Sequence, residues 1–222
     1  MAKQTRPTRA LIACGVVAGP MYVIVTLIQA LTRDGFDLRY HRFSWLTAGD
    51  LGWIQQSNMV LVGALTIVLA IGVRRAMPGG PGSVWVPRLL ALLGGAYIVG
   101  GLLTADPVVG FPPGTTAELA QKTWHGIAQN ASRSASTLFL IAASLVTARW
   151  FGAQERRGWA WFYATAIPGA FALLSAVGLA IGGNPTALAF LMTPWIWVTA
   201  LAIHLYWGES GAPATQTTLL AS

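Results

Sequence analysis

Charge is what this sequence has least of. Only 9% of its residues are Asp, Glu, Lys or Arg, against about a quarter in an ordinary soluble domain. That shortage excludes the usual water-facing surface. Cysteine occurs once, as Cys14, which excludes an intrachain disulfide and any cysteine-built metal site. Acid is scarcer than base, with 7 Asp and Glu against 14 Lys and Arg and a formal charge of +7. The basic residues do not gather into the patch or arm that binds nucleic acid. They lie between apolar runs, so no nucleic-acid partner is expected.

What the sequence has instead is apolar length. Hydrophobic residues make up 55% of it, and the mean hydropathy is +0.58. A soluble core cannot enclose that much apolar sequence, so lipid is the natural solvent and the bilayer the first partner. Six runs, at 11–31, 54–73, 87–104, 134–151, 159–181 and 187–206, are long enough to cross about 30 Å of hydrocarbon as helices. The first is too long for the apolar region of a cleaved signal peptide, which spans roughly 7–15 residues. The fourth is the least defined. Polar residues from Trp124 to Ser136 precede it at helical spacing, leaving room for an earlier start.

These runs predict an all-α integral membrane protein, a six-transmembrane-helix bundle over residues 1–207, followed by a disordered tail at 208–222. Orientation follows from Lys and Arg. The side bearing both termini collects Lys3, Arg6, Arg9, Arg74, Arg75, Arg88, Arg149, Arg156 and Arg157; the other has Arg33, Arg39, Arg42, Lys122 and Arg133. Nine against five predicts cytoplasmic N- and C-termini in a multi-pass protein of the cell membrane.

The distinctive residues fall on the opposite, outer side. Asp106 directly follows an apolar run. A carboxylate near hydrocarbon is costly unless paired, hydrated or protonated, so Asp106 is a candidate proton donor, with pairing to Arg133 as the alternative. His125, Gln129, Ser132 and Ser136 recur at i, i+4, i+7 and i+11, one polar stripe with Arg133 beside it. Such a stripe faces the bundle interior, as a binding wall or as interhelical hydrogen bonding. Gln55 and Asn58 share a helix face behind Trp53 and read as a polar pocket wall or as backbone partners. Of ten tryptophans, most fall near helix ends as an aromatic belt; Trp195 and Trp197 lie deeper and could shield a cation.

The segments SWLTAGDLGWIQQSN (44–58), Thr104-Ala105-Asp106-Pro107 and Trp124-His125-Gly126 resemble the bacterial and archaeal membrane family called domain of unknown function 998, as does the six-helix layout. Many members carry a second histidine four residues after the first; here that position is Gln129, so the i, i+4 histidine pair of a helical metal site is absent. A weaker likeness is to membrane hydrolases of the alkaline ceramidase type. It carries over only Ser44, Asp106 and His125, without two of the zinc-binding histidines. Another, by analogy alone, is to small membrane terpene cyclases.

Three functions follow as expectations. The first is an enzyme on an apolar, lipid-like or prenylated substrate, such as acid-initiated cyclisation. Asp106 and His125 would be catalytic, Asn58, Gln55, Trp53, Gln129, Arg133 and Trp195 would bind substrate, and no metal or cofactor would be needed. The second is a zinc-dependent lipid hydrolase. The third is a non-enzymatic carrier, receptor or scaffold. The first predicts a pocket open to the outer leaflet between helices two, three and four, with Asp106 and His125 facing each other.

Overall fold

In hydrocarbon every backbone polar group must be satisfied within the chain, which leaves helices as the simplest spanning solution for these apolar runs. The computed structural model describes residues 5–77, 79–80 and 82–207. It contains α1 (Arg6–Thr32), α2 (Gly52–Ala76), α3 (Gly82–Leu102), α4 (Trp124–Gly152), α5 (Arg157–Ala180) and α6 (Pro185–Trp207), with a 3₁₀ turn at Phe43–Thr47. All six are long and apolar enough to cross a membrane. The only β feature among the described residues is an isolated bridge between Val108 and Phe111. The tail expected at 208–222 lies outside the described residues.

Two boundaries differ instructively from the apolar runs. Helix α4 begins at Trp124 rather than Ser134, because Thr123 caps it there through a bond from Gly126 N–H at 3.3 Å. Polar residues thus form its first turns. Helix α3 begins at Gly82, before Pro87. Proline has no N–H to give the carbonyl four residues earlier, and Arg74 Nη1 donates to that carbonyl, Ser83 O, at 2.7 Å.

The helices form a closed ring in chain order. Each packs on its sequence neighbours, and α6 returns to α1. We call the end bearing the 33–51 and 103–123 segments the distal end; the start of α1 and the end of α6 lie at the other. The closest crossing is α2 on α3, where a Cβ at either Gly63 or Gly94 would stand 2.5 Å from the other residue's carbonyl oxygen. Gly15 and Gly19 of α1 pack tightly against α2 and α6, as the small-residue spacing suggests. Gly182, with φ +69°, forms the α5–α6 turn.

The ring's interior is closed by aromatics. Trp195, Trp197, Tyr163 and Phe151 are among the largest fully buried side chains. The exposed tryptophans, Trp53, Trp85, Trp124, Trp159, Trp161 and Trp207, fall within five residues of an end of their helices, as an interfacial belt does.

Candidate functional site

The distal end is built on Thr47. Its hydroxyl accepts from Ala105 N–H and from Gln129 Nε2, each at 2.9 Å, and donates to Ser44 O at 3.0 Å. Gln129 Nε2 is also 3.1 Å from Leu103 O and 3.3 Å from Gly100 O. One buried amide thereby ties α4 to the 3₁₀ turn and to the end of α3. Arg33 secures the same turn from α1, donating to Leu46 O and to Ala48 O, with its guanidinium over the Phe111 ring. His41 sits against Phe36, Trp45 and Phe111 and accepts from Asp37 N–H at 2.9 Å. Burial holds its imidazole below the usual histidine range, with Asp37 opposing the shift.

Asp106 belongs to the start of α4. Its Oδ1 accepts from Thr123 N–H at 3.0 Å and from the Thr123 hydroxyl at 2.6 Å. The carboxylate lies so close to Gly126 that a Cβ there would collide with it. An anion at this position faces the orphan N–H groups and positive end of the helix. His125 is exposed, its ring beside Trp124 at 3.6 Å between centroids. The two candidate catalytic residues therefore have separate partners. Asp106→Ala should cost about 1–2 kcal/mol, as loss of a helix cap does, and Asp106→Asn less, since the amide oxygen still accepts. Thermal unfolding of the two variants in detergent checks this; equal destabilisation would contradict the capping role.

Gln55 and Asn58 are buried, as their shared face suggests, but they turn toward α1. Gln55 Oε1 accepts from Gln29 Nε2 at 2.8 Å, and Gln55 Nε2 reaches Thr26 Oγ1 at 3.1 Å and Tyr22 Oη at 3.3 Å. Asn58 Nδ2 donates to Tyr22 O at 3.2 Å. This is a polar seam between two membrane helices. Trp53 is 61% exposed on the outside of α2, and Trp195 is buried with ring centroids 4.8 Å from Tyr97 and 5.0 Å from Tyr22.

Tyr22 and Tyr97, in turn, line a cavity of about 320 Å³ inside the distal end of the ring, within the size range of small-molecule sites. Arg133, Ser132, Ser136 and Thr137 form its α4 wall, Phe190 and Leu191 its α6 wall, and Arg42 and Ser44 its rim. It is thus bounded by α1, α4 and α6 as well as α2 and α3. Of the eight residues singled out as catalytic or substrate-binding, Arg133 alone lines it. Asp106, His125, Gln55, Asn58, Trp53, Gln129 and Trp195 do not. Sequence reasoning overlooked Tyr22 and Tyr97, since a tyrosine within an apolar run reads as core. It counted Arg42 only as a loop charge.

Residues 16–204, from α1 to near the end of α6, match the model of a family described as protein of unknown function (DUF998). The chain belongs to the DUF998 family. The match covers parts of all six helices, so this DUF998 ring, with its distal cavity, lies almost wholly within the family domain. No curated protein and no solved structure matches the chain. Among the described residues, no three His, Cys, Asp or Glu side chains of this DUF998 protein gather where one metal ion could be held. The residues present therefore do not fit the zinc site that a ceramidase-type hydrolase requires.

Proposed function

We propose that this membrane protein takes a lipid-like molecule into the distal cavity, from the outer side of the cell membrane if the bias of Lys and Arg sets the orientation. The observation that carries the reading is an apolar groove beside the cavity, with lining residues common to both. A second space of about 580 Å³ runs between α4, α5 and α6, lined by Leu140, Ile141, Leu145, Ile167 and Phe171. It shares Thr137, Phe190 and Pro194 with the cavity. Helix α5 has few buried residues, so this flank is open to lipid, and we take it as the route of a hydrocarbon chain.

Acid-initiated cyclisation has less support than simple binding. Its proposed donor, Asp106, is engaged at the start of α4. The aromatic wall of Tyr22, Tyr97 and Phe190 suits a cation, but two guanidinium groups share that lining, and like charge opposes a carbocation there.

The test is to fill the cavity. Ala187 is a buried lining residue on α6. Native mass spectrometry of gently extracted protein should find a lipid-sized adduct on the unaltered chain and lose most of it in Ala187→Phe, with thermal unfolding unchanged. Equal adducts on both proteins would reject the reading.

A further inference from the structure

Arg133 lies nine residues after Trp124, where α4 begins, or about 13 Å along the helix at 1.5 Å per residue. A charge on a membrane helix calls for a counter-charge, a water-filled space or a route to the interface. The structure gives it little from protein. Its Nη2 is 3.5 Å from Asn130 Oδ1 on its own helix, at the limit of a hydrogen bond, and its guanidinium lies 5.7 Å from the centroid of the Phe190 ring. Arg42 belongs to the same lining, its guanidinium 6.0 Å from the centroid of the Trp45 ring. Among the described residues, the lining has these two guanidinium groups and no carboxylate. Two like charges aimed into one space repel each other, and an anion between them relieves that repulsion.

Tyr22 also lines the cavity, and its Oη accepts from Gln55 Nε2 at 3.3 Å in the α1–α2 seam. The hydroxyls of Ser132 and Ser136 already give their protons to Ala96 O at 2.6 Å and Arg133 O at 2.7 Å. The two arginines are therefore the charged donors of the lining. Phe190 and Pro194 belong both to this lining and to that of the apolar groove between α4, α5 and α6.

We propose that this cavity is a site for an anionic amphiphile, with a phosphate or carboxylate head between Arg133 and Arg42 and a single hydrocarbon chain in the α4–α5–α6 groove. The inference rests on the lipid-like reading above and adds the charge of the head and the course of the tail.

The experiment uses the full chain in nanodiscs of zwitterionic lipid and measures equilibrium binding of four probes: dodecyl phosphate, dodecanoate, dodecanol and inorganic phosphate. The expected result is saturable binding of dodecyl phosphate, dodecanoate or both, with dodecanol at least about tenfold weaker. Arg133→Gln and Arg42→Gln should each weaken the anion by about tenfold or more, since charge-assisted bonds discriminate at that level. Arg133→Lys should recover part of the loss and also serves if Arg133→Gln fails to fold. Arg39→Gln, an exposed arginine of the same distal segment outside the cavity lining, is the charge-matched control and should bind like the unaltered chain. Dodecanol binding as tightly as the anions would overturn the charged head while leaving the lipid-like reading intact. Inorganic phosphate binding as tightly as dodecyl phosphate would overturn the tail. Binding of no probe would overturn both readings.

Discussion

Gln129→Leu should loosen the whole distal end. Leucine matches the side chain in bulk but strips a donor from Thr47 Oγ1, Gly100 O and Leu103 O at once. Gln129 and Thr47 are both buried, so water does not readily replace the amide. A buried acceptor left bare costs about 1–3 kcal/mol. Thr47 Oγ1 keeps its bond from Ala105 N–H, so the bared groups are the two carbonyls, and we expect roughly 2–4 kcal/mol overall. Two readouts separate this from a general packing defect. Thermal unfolding in detergent should shift down, and trypsin should cut faster at Lys122, which is exposed in the segment that Gln129 helps to anchor. An unchanged melting curve together with an unchanged cleavage rate would show that the amide is not the fastening point.

Gly63→Val should be at least as damaging, by a different route. The new Cβ would meet Gly94 O at 2.5 Å and the Ile98 side chain at 2.8 Å. The first of these is backbone and cannot rotate away, so α2 and α3 must separate. Overpacking that side chains absorb costs about 1–3 kcal/mol; displacement of two helices belongs at or above the upper end. Gly94→Ala strains the same crossing from the other side, with Gly63 O the facing atom. Combining Gly63→Ala with Gly94→Ala should therefore cost less than the two single effects added, because one separation relieves both. Gly95→Ala is the internal control. A Cβ there meets nothing within 4 Å, and removing a mid-helix glycine should be neutral or gain up to about 1 kcal/mol. If Gly95→Ala and Gly63→Val melted alike, the close crossing would be refuted.

Much of this architecture was legible from apolar length. A run long enough to cross hydrocarbon has little choice but helix, so six runs gave six helices. The exception is instructive. The first turns of α4 are polar, and what starts the helix at Trp124 is Thr123 with Asp106 against it, a contact between residues 17 positions apart. Apolar periodicity carries no trace of it. The same limit governed the site. The spacing of Gln55 and Asn58 correctly indicated a shared buried face, yet their partners Tyr22, Thr26 and Gln29 are on another helix. Which polar residues pair and which remain turned to a cavity depends on helix rotation and neighbour choice. Arg133 was recognisable because an arginine beside an apolar run is conspicuous. Tyr22 and Tyr97 were not, because an aromatic ring gives no hint of whether it meets core or open space.

The ring in chain order bears on how the molecule is made. Each helix can dock on the one that left the ribosome just before it, so five of the six seams assemble from neighbours in sequence. The α1–α6 seam is different, since it joins the first span to the last. Until that final span arrives, the distal chamber lacks one wall and stays open sideways. A chain halted during synthesis would therefore hold a nearly complete set of spans without an enclosed chamber. Release of the last segment is the event that turns a curved row of helices into a vessel.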